Sequence, residues 1–251
     1  MRYSGLTDQG KTRESNQDAY NVCENDRGDL LAIVCDGVGG ASHGEVASSL
    51  AIKHMLSKFE DNEDFLDLED AKAWLYTSIV STNDLVYKKA QKTSEYKGMG
   101  TTLVALLKCK YGTLVANVGD SRAYALYKNR SMRAITSDHT YVANLVQLGQ
   151  ISIQEALHHP QRHVITNAIG IWKAIEVDIF DVEESVQSVL LCSDGLHGYV
   201  DERLINNVLK DQRLHIHTKT QRLVQAANDA GGYDNVTVIV VDLNGGESHD
   251  E

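Results

Sequence analysis

The clearest signal along the chain is a series of short apolar runs cut off by turn residues. Leu30-Leu31-Ala32-Ile33-Val34-Cys35 stops at Asp36-Gly37, a pattern that predicts a buried strand followed by a turn. From Gly44 to Lys58, Val46, Ala47, Leu50, Ala51, His54 and Met55 fall near helical spacing. Residues 69–92 carry Ala71, Trp74, Leu75, Ile79, Leu85 and Val86 without a Gly or Pro, and both stretches predict helices. Thr101–Leu107, Gly112–Val118 and Arg122–Tyr127 read as strands of an antiparallel meander, joined by Lys108-Cys109-Lys110 and by Gly119-Asp120-Ser121. Residues 138–170 change character, with His, Gln and Asn clustered around two short helical patterns; they read as a surface subdomain inserted into the core. Strands are predicted again at Ile175–Val182, Ser188–Cys192 and Asn235–Leu243, and helices at 201–210 and 218–230. Strands and helices grouped apart favour an α+β fold over a parallel doubly wound sheet.

The chain has 251 residues, of which 42% are hydrophobic and 24% charged. It is long enough to bury a sizeable core without disulfide or metal staples. Twenty-four Lys and Arg stand against 35 Asp and Glu, a net charge of −11. This argues against a general nucleic-acid binder, which needs basic residues to neutralise phosphates, and it suits bound divalent cations. Cys23, Cys35, Cys109 and Cys192 form no C-x-x-C pair and have no His at zinc-ligand spacing. Reduced thiols and a cytoplasmic address are the expectation. No signal-peptide apolar region opens the chain and no apolar run approaches ~20 residues, so direct membrane insertion is not expected.

The positions of four aspartates carry the chemistry. Asp36 and Asp194 each end an apolar strand and precede Gly, Asp120 sits in a Gly-Asp-Ser turn, and Asp234 directly precedes the final strand. Carboxylates at strand ends can converge at one sheet edge, where their hard oxygens suit Mg²⁺ or Mn²⁺ better than zinc. Each is equally readable as ordinary turn chemistry, and spacing alone leaves both readings open. A nucleotide site has no support, since P-loop, Gly-x-Gly-x-x-Gly and EF-hand patterns are absent. Without a Gly-x-Ser-x-Gly elbow, Ser121 and Ser193 are weak candidates for a serine hydrolase nucleophile.

Six segments, in order, carry a resemblance: Arg13-x-x-Asn16-Gln17-Asp18, Asp36-Gly37-Val38-Gly39-Gly40, Gly98-x-Gly100-Thr101-Thr102, Asn117-Val118-Gly119-Asp120-Ser121-Arg122, Ser193-Asp194-Gly195 and Asp234-Asn235-Val236-Thr237. Together they resemble the motif series of the metal-dependent PPM (type 2C) protein serine/threonine phosphatases. Asp138-His139-Thr140, His159-Pro160-Gln161-Arg162 and Ala168-Ile169-Gly170 resemble its bacterial branch in the flap region. The likeness runs over residues 1–243, which are expected to form one phosphatase domain with a flap at about 138–170; residues 244–251 are expected to be a flexible C-terminal tail.

The resemblance implies a four-layer α/β/β/α sandwich, two central and mostly antiparallel sheets flanked by helices, with a metal cleft at one end. It implies hydrolysis of phosphoserine and phosphothreonine monoesters by a water bridging two Mn²⁺ or Mg²⁺ ions, with a third and weaker ion beside them. Carried over by motif, Asp36 would bridge two metals, Gly37 would offer its carbonyl to the second, and Asp194 and Asp234 would complete the first. Asp120 with Asp194 would hold the third, Asp18 would hold metal-bound water, and Arg13 would clamp the substrate phosphate. Phosphorylated proteins, a Ser/Thr protein kinase among them, are the implied partners of a monomeric enzyme opposing such a kinase. The chain departs from the pattern at three places. Val38 stands where some relatives place a general-acid His, and Ala41 and Ser42 separate the glycines from His43, a displaced candidate for that acid. Gln17 replaces the Glu of many eukaryotic members. A metal-binding pseudo-enzyme that recognises phosphoproteins is the competing reading.

Overall fold

The computed structural model describes residues 1–38, 43–92 and 94–243. Gly39, Gly40, Ala41 and Ser42 of the glycine-rich stretch and the tail expected at 244–251 lie outside them. The strands are β1 (Arg2–Asp8), β2 (Asp18–Glu24), β3 (Leu30–Val38), β4 (Gly100–Thr101), β5 (Leu103–Cys109), β6 (Gly112–Val118), β7 (Arg122–Tyr127), β8 (Met132–Ala134), β9 (Asp178–Asp181), β10 (Val186–Cys192) and β11 (Val236–Asp242). One sheet runs β1-β11-β10-β7-β8; the other runs β2-β3-β5-β6-β9, with β4 paired to β3. The named strand pairs are all antiparallel.

Strand alternation explains the layers. Leu30, Ala32 and Val34 point into a core shared with Ala123, Ala125, Val189, Leu191, Ile239 and Val241 of the other sheet. Leu31, Ile33 and Cys35 point the opposite way, onto α1 (Gly44–Glu60) and α2 (Leu68–Lys92) through Ala47, Ala51, Met55, Leu75 and Ile79. Tyr124, Leu190, Cys192 and Val238 face α5 (Asp194–His197), α6 (Glu202–Lys210) and α7 (Ile216–Asp229) through Leu196, Ile205 and Leu223. A strand covered on both faces has no polar side to show, which is why Leu30–Cys35 reads as one continuous apolar run. No helix among the described residues is long and apolar enough to cross a membrane.

Three sequence expectations need correction. The meander stops at β6: β7 pairs with β10 and β8 in the other sheet. The chain turns that corner at Gly119, whose φ of +109° is left-handed and whose Cβ would meet the Thr102 side chain at 2.7 Å. The strand expected over 175–182 is only β9, because the backbone at Glu176 is bonded through both N–H and C=O to the Asn167 side chain instead of a ladder. Residues 138–170 do carry two short helices, α3 (Tyr141–Gln147) and α4 (Ile153–Leu157). Their far end is nonetheless core: Ile169 is fully buried and bridges Thr101, and the Gly170 N–H bonds Asn83 Oδ1 at 2.7 Å.

Candidate active site

Antiparallel pairing brings to one end of the sandwich the start of β2, the end of β3, the β6–β7 turn, the end of β10 and the start of β11. Asp18, Asp36, Asp120, Asp194 and Asp234 occupy those places. Asp18 lies directly opposite Asp36 in the β2–β3 register. Four of them are raised by burial and by their acidic neighbours. Burial first, then Asp18, Asp194, Asp120 and Asp234, push the Asp36 carboxyl well above the usual range. Asp120 is raised by burial and then by Asp194 and Asp138. Asp194 is raised by burial and by Asp234, against a hydrogen bond from the Asp36 carboxyl. Asp18 is pushed up to about 7 by burial and by Asp194 and Asp234, with hydroxyls of Ser193 and Thr237 working the other way.

A scaffold of hydroxyls and amides fixes these side chains. Thr102 Oγ1 accepts the Asp36 N–H at 3.0 Å and meets Ser121 Oγ at 2.7 Å, while the Thr102 N–H and the Thr101 hydroxyl both donate to the Asp36 carbonyl. Ser193 Oγ donates to Asp18 Oδ2 at 2.7 Å and accepts the Thr237 N–H at 3.0 Å. Ser121 and Ser193 are fully buried, so both are positioning groups here and neither is an exposed nucleophile. Asn235 spans the loop before β2: its Oδ1 accepts the Gln17 N–H and its Nδ2 donates to the carbonyls of Gln9 and Ser15. Close backbone approach requires Gly37 and Gly195. A Cβ on Gly37 would lie 2.4 Å from the Gly44 carbonyl carbon, and one on Gly195 would lie 1.9 Å from the Asn235 oxygen. The sequence offered a signal for this scaffold only as motif identity; Thr102, Ser193 and Asn235 have no spacing that marks them.

Arg13 stands exposed at the rim, with Nη2 2.7 Å from Asp234 Oδ2. His43 stands at the N-cap position of α1 without a side-chain capping bond and packs edge-on against Tyr96 at 5.6 Å between ring centroids. In the flap, His139 Nδ1 accepts from the Gly119 N–H and from Asn167 Nδ2, which leaves Nε2–H to donate to Asp178 at 3.0 Å. Arg122 holds Asp138 through two bonds of 2.8 and 2.7 Å, a planar fork-to-fork geometry. His197 is held neutral by burial, its pKa lowered to about 4, and donates to the Asp120 carbonyl at 2.9 Å. The flap meets the carboxylate turn through His139, whose Nδ1 accepts the N–H of Gly119 beside Asp120.

The donor set fits divalent metal. Every carboxyl in the cluster is a hard oxygen donor, and Asp18 Oδ1 is buried without a hydrogen-bond partner, an unmet demand that a bound water or ion answers. Among the described residues no group of three or more His, Cys, Asp or Glu side chains is drawn together closely enough to hold a metal ion by itself; Mg²⁺ is bound through one or two carboxylates with several waters, which does not need such a group.

The family model described as "Protein phosphatase 2C" matches residues 9–238. The chain is 37% identical over 239 residues to the serine/threonine phosphatase stp of Listeria welshimeri, covering 95% of this chain and 94% of that one. It is 35% identical over 246 residues to the protein phosphatase PhpP of Streptococcus pneumoniae, covering 97% and 98%. In structure it is similar to the serine/threonine phosphatase Stp1 of Staphylococcus aureus, with a TM-score of 0.90 and 39% identity over 97% of this chain and 95% of that one. The chain belongs to the protein phosphatase 2C family and is an enzyme of its bacterial branch.

Proposed function

We propose that residues 1–243 form one catalytic domain that hydrolyses phosphoserine and phosphothreonine monoesters on proteins with the help of Mn²⁺ or Mg²⁺. The observation that carries this reading is the convergence of Asp18, Asp36, Asp120, Asp194 and Asp234 at one end of the sandwich, with Arg13 at their rim. Four carboxyls, Asp18, Asp36, Asp120 and Asp194, pushed up by burial and by their acidic neighbours are unfavourable as a purely structural arrangement, and a cation among them removes the conflict. Asp36, the Gly37 carbonyl, Asp194 and Asp234 would hold two ions and Asp120 with Asp194 a third. Bound there, the ions would supply an acidified water and positive charge facing the phosphate oxygens.

The remaining work belongs to the chain's own groups. Arg13 would bind the phosphate through its planar fork, for which an exposed position is necessary. Asp18, steered by Ser193, would orient and take protons from water at the site. His43 plays no part in this reading, because its ring is packed on Tyr96. Hydrolysis of phosphoserine and phosphothreonine requires a kinase to make them, so the enzyme is read as opposing a Ser/Thr protein kinase. Four free cysteines suit the reducing cytoplasm.

Turnover of p-nitrophenyl phosphate and of a phosphothreonine peptide, each with Mn²⁺ and after chelation, tests the proposal, together with calorimetric titration of Mn²⁺. Metal-dependent turnover of both, with Mn²⁺ binding that weakens in Asp36→Asn, is expected. Mn²⁺ binding without turnover would favour the pseudo-enzyme.

A further inference from the structure

Two exposed tyrosines stand beside Asp194 and Asp234 at the rim of the carboxylate cluster. Tyr199 follows α5 and Tyr233 directly precedes Asp234; their rings lie 5.6 Å apart at 41°. They are 36% and 56% exposed. Both are tied to the rim. The Tyr233 carbonyl accepts the Thr12 hydroxyl at 2.8 Å, one residue before Arg13, and Arg13 pairs with Asp234. The Tyr199 N–H bonds the Leu196 carbonyl in the turn that begins at Asp194. Gly231, at φ +132°, makes room for the Tyr233 ring, since a Cβ there would come within 2.2 Å of it. The ring is therefore laid down by the backbone before any ligand arrives. Tyr199 feels Asp234 and Asp194 first and, more weakly, Arg13 and Arg162 of the flap.

We infer that Tyr199 and Tyr233 form a platform for an apolar or aromatic side chain flanking the phosphorylated residue of a peptide substrate. The inference rests on the proposed phosphoprotein phosphatase activity and adds a substrate preference to it. The platform is continuous with the Arg13–Asp234 rim, so a chain whose phosphate reaches Arg13 passes over the rings. The charges around the rings are mixed, Asp194 and Asp234 with Arg13 and Arg162, so neither an acidic nor a basic flank finds a surface of one opposite sign. An uncharged side chain is the one that gains from burying against two rings.

The test is steady-state kinetics on phosphothreonine peptides of one length with Phe, Gly or Arg beside the phosphothreonine, using the wild-type chain, Y199S/Y233S and Y199F/Y233F. For the wild type, KM should be roughly three- to tenfold lower for the Phe peptide than for the Gly peptide, with kcat nearly equal. That ratio should fall to about one in Y199S/Y233S and persist in Y199F/Y233F, which keeps the rings and controls for folding. An unchanged ratio in the Ser variant, no preference in the wild type, or a preference for Arg over Phe each overturns the platform. Failure of the wild type to hydrolyse any peptide overturns the phosphatase reading, and the platform with it.

Discussion

Asp18 and Asp36 face each other directly across the β2–β3 pair, two carboxylates at the position where like charges push antiparallel strands apart. Burial deepens the conflict, since both are raised by desolvation before any neighbour is counted. The register is held all the same, by the ladder running down to Glu24 opposite Leu30 and by Thr101 and Thr102 gripping the Asp36 backbone. A fold that keeps charges together against such a gradient does so where they serve binding or chemistry.

Removing one charge should therefore separate activity from stability. Asp36→Asn, Asp194→Asn and Asp234→Asn are each expected to lower kcat at least ~10²-fold at saturating Mn²⁺. In metal-free protein, Asp36→Asn should melt at the same temperature or higher, because repulsion is relieved. Asp234→Asn should gain less, since it also gives up the Arg13 pair. Calorimetry in chelator reads this directly, and a fall of several degrees for Asp36→Asn would show that the carboxylate is a structural group.

The strand ends and their aspartates were legible because apolar runs stop sharply at Asp36, Asp120 and Asp194, and antiparallel pairing then forces those ends together. The edge strands β1 and β2 were not, for a physical reason: each lies at the border of its sheet, and Arg2-Tyr3-Ser4-Gly5-Leu6-Thr7-Asp8 has too few apolar positions to show a period. The sheet change at Gly119 was also invisible, because a Gly-Asp-Ser turn suits a hairpin and a corner equally well. His139 looked like a surface histidine in a polar segment, and only tertiary contacts with Gly119, Asn167 and Asp178 make it an anchor.

Arg13→Ala should raise KM for phosphorylated substrates with little change in melting temperature. Its pair with Asp234 is largely exposed on the Arg side, and such pairs contribute about 0–1 kcal/mol. Arg13→Lys should recover only part of the binding, as it keeps the charge and loses the fork. An unchanged KM with a marked loss of stability would make Arg13 a structural partner of Asp234.

Ser193→Ala distinguishes positioning from nucleophilic attack. The variant removes the Ser193 hydroxyl from Asp18 Oδ2 and leaves the Thr237 N–H without that acceptor. Unmet buried groups of this kind cost about 1–3 kcal/mol, so melting should fall by several degrees. Activity should drop on the order of tenfold and remain metal-dependent. Loss of all turnover in a folded variant would bring back the serine hydrolase reading.

Two glycines make a matched pair for the backbone argument. Gly195→Ala should destabilise by about 3 kcal/mol or more in urea unfolding, because its Cβ would lie 1.9 Å from a main-chain oxygen that cannot move without displacing Asn235. Gly28→Ala, at φ +81° with open space around it, carries only conformational strain of about 1 kcal/mol. Similar losses at the two sites would mean that the contact between α5 and the start of β11 is looser than its geometry implies.

The flap should divide by depth. His139 binds the Gly119 N–H next to Asp120, so His139→Ala disturbs the carboxylate turn itself and should lower kcat/KM for p-nitrophenyl phosphate and for phosphopeptides alike. Leu148, Ile153 and Leu157 lie exposed on or beside the short helices α3 and α4, away from the buried end that bridges Thr101. Replacing them with Ser should change kcat/KM for phosphopeptides several-fold and leave the small ester within about twofold, since exposed flap surface can touch a polypeptide that a single phosphate ester does not span. Equal losses on both substrates from the exposed positions would mean that the whole flap, and not its His139 anchor alone, supports the carboxylate cluster.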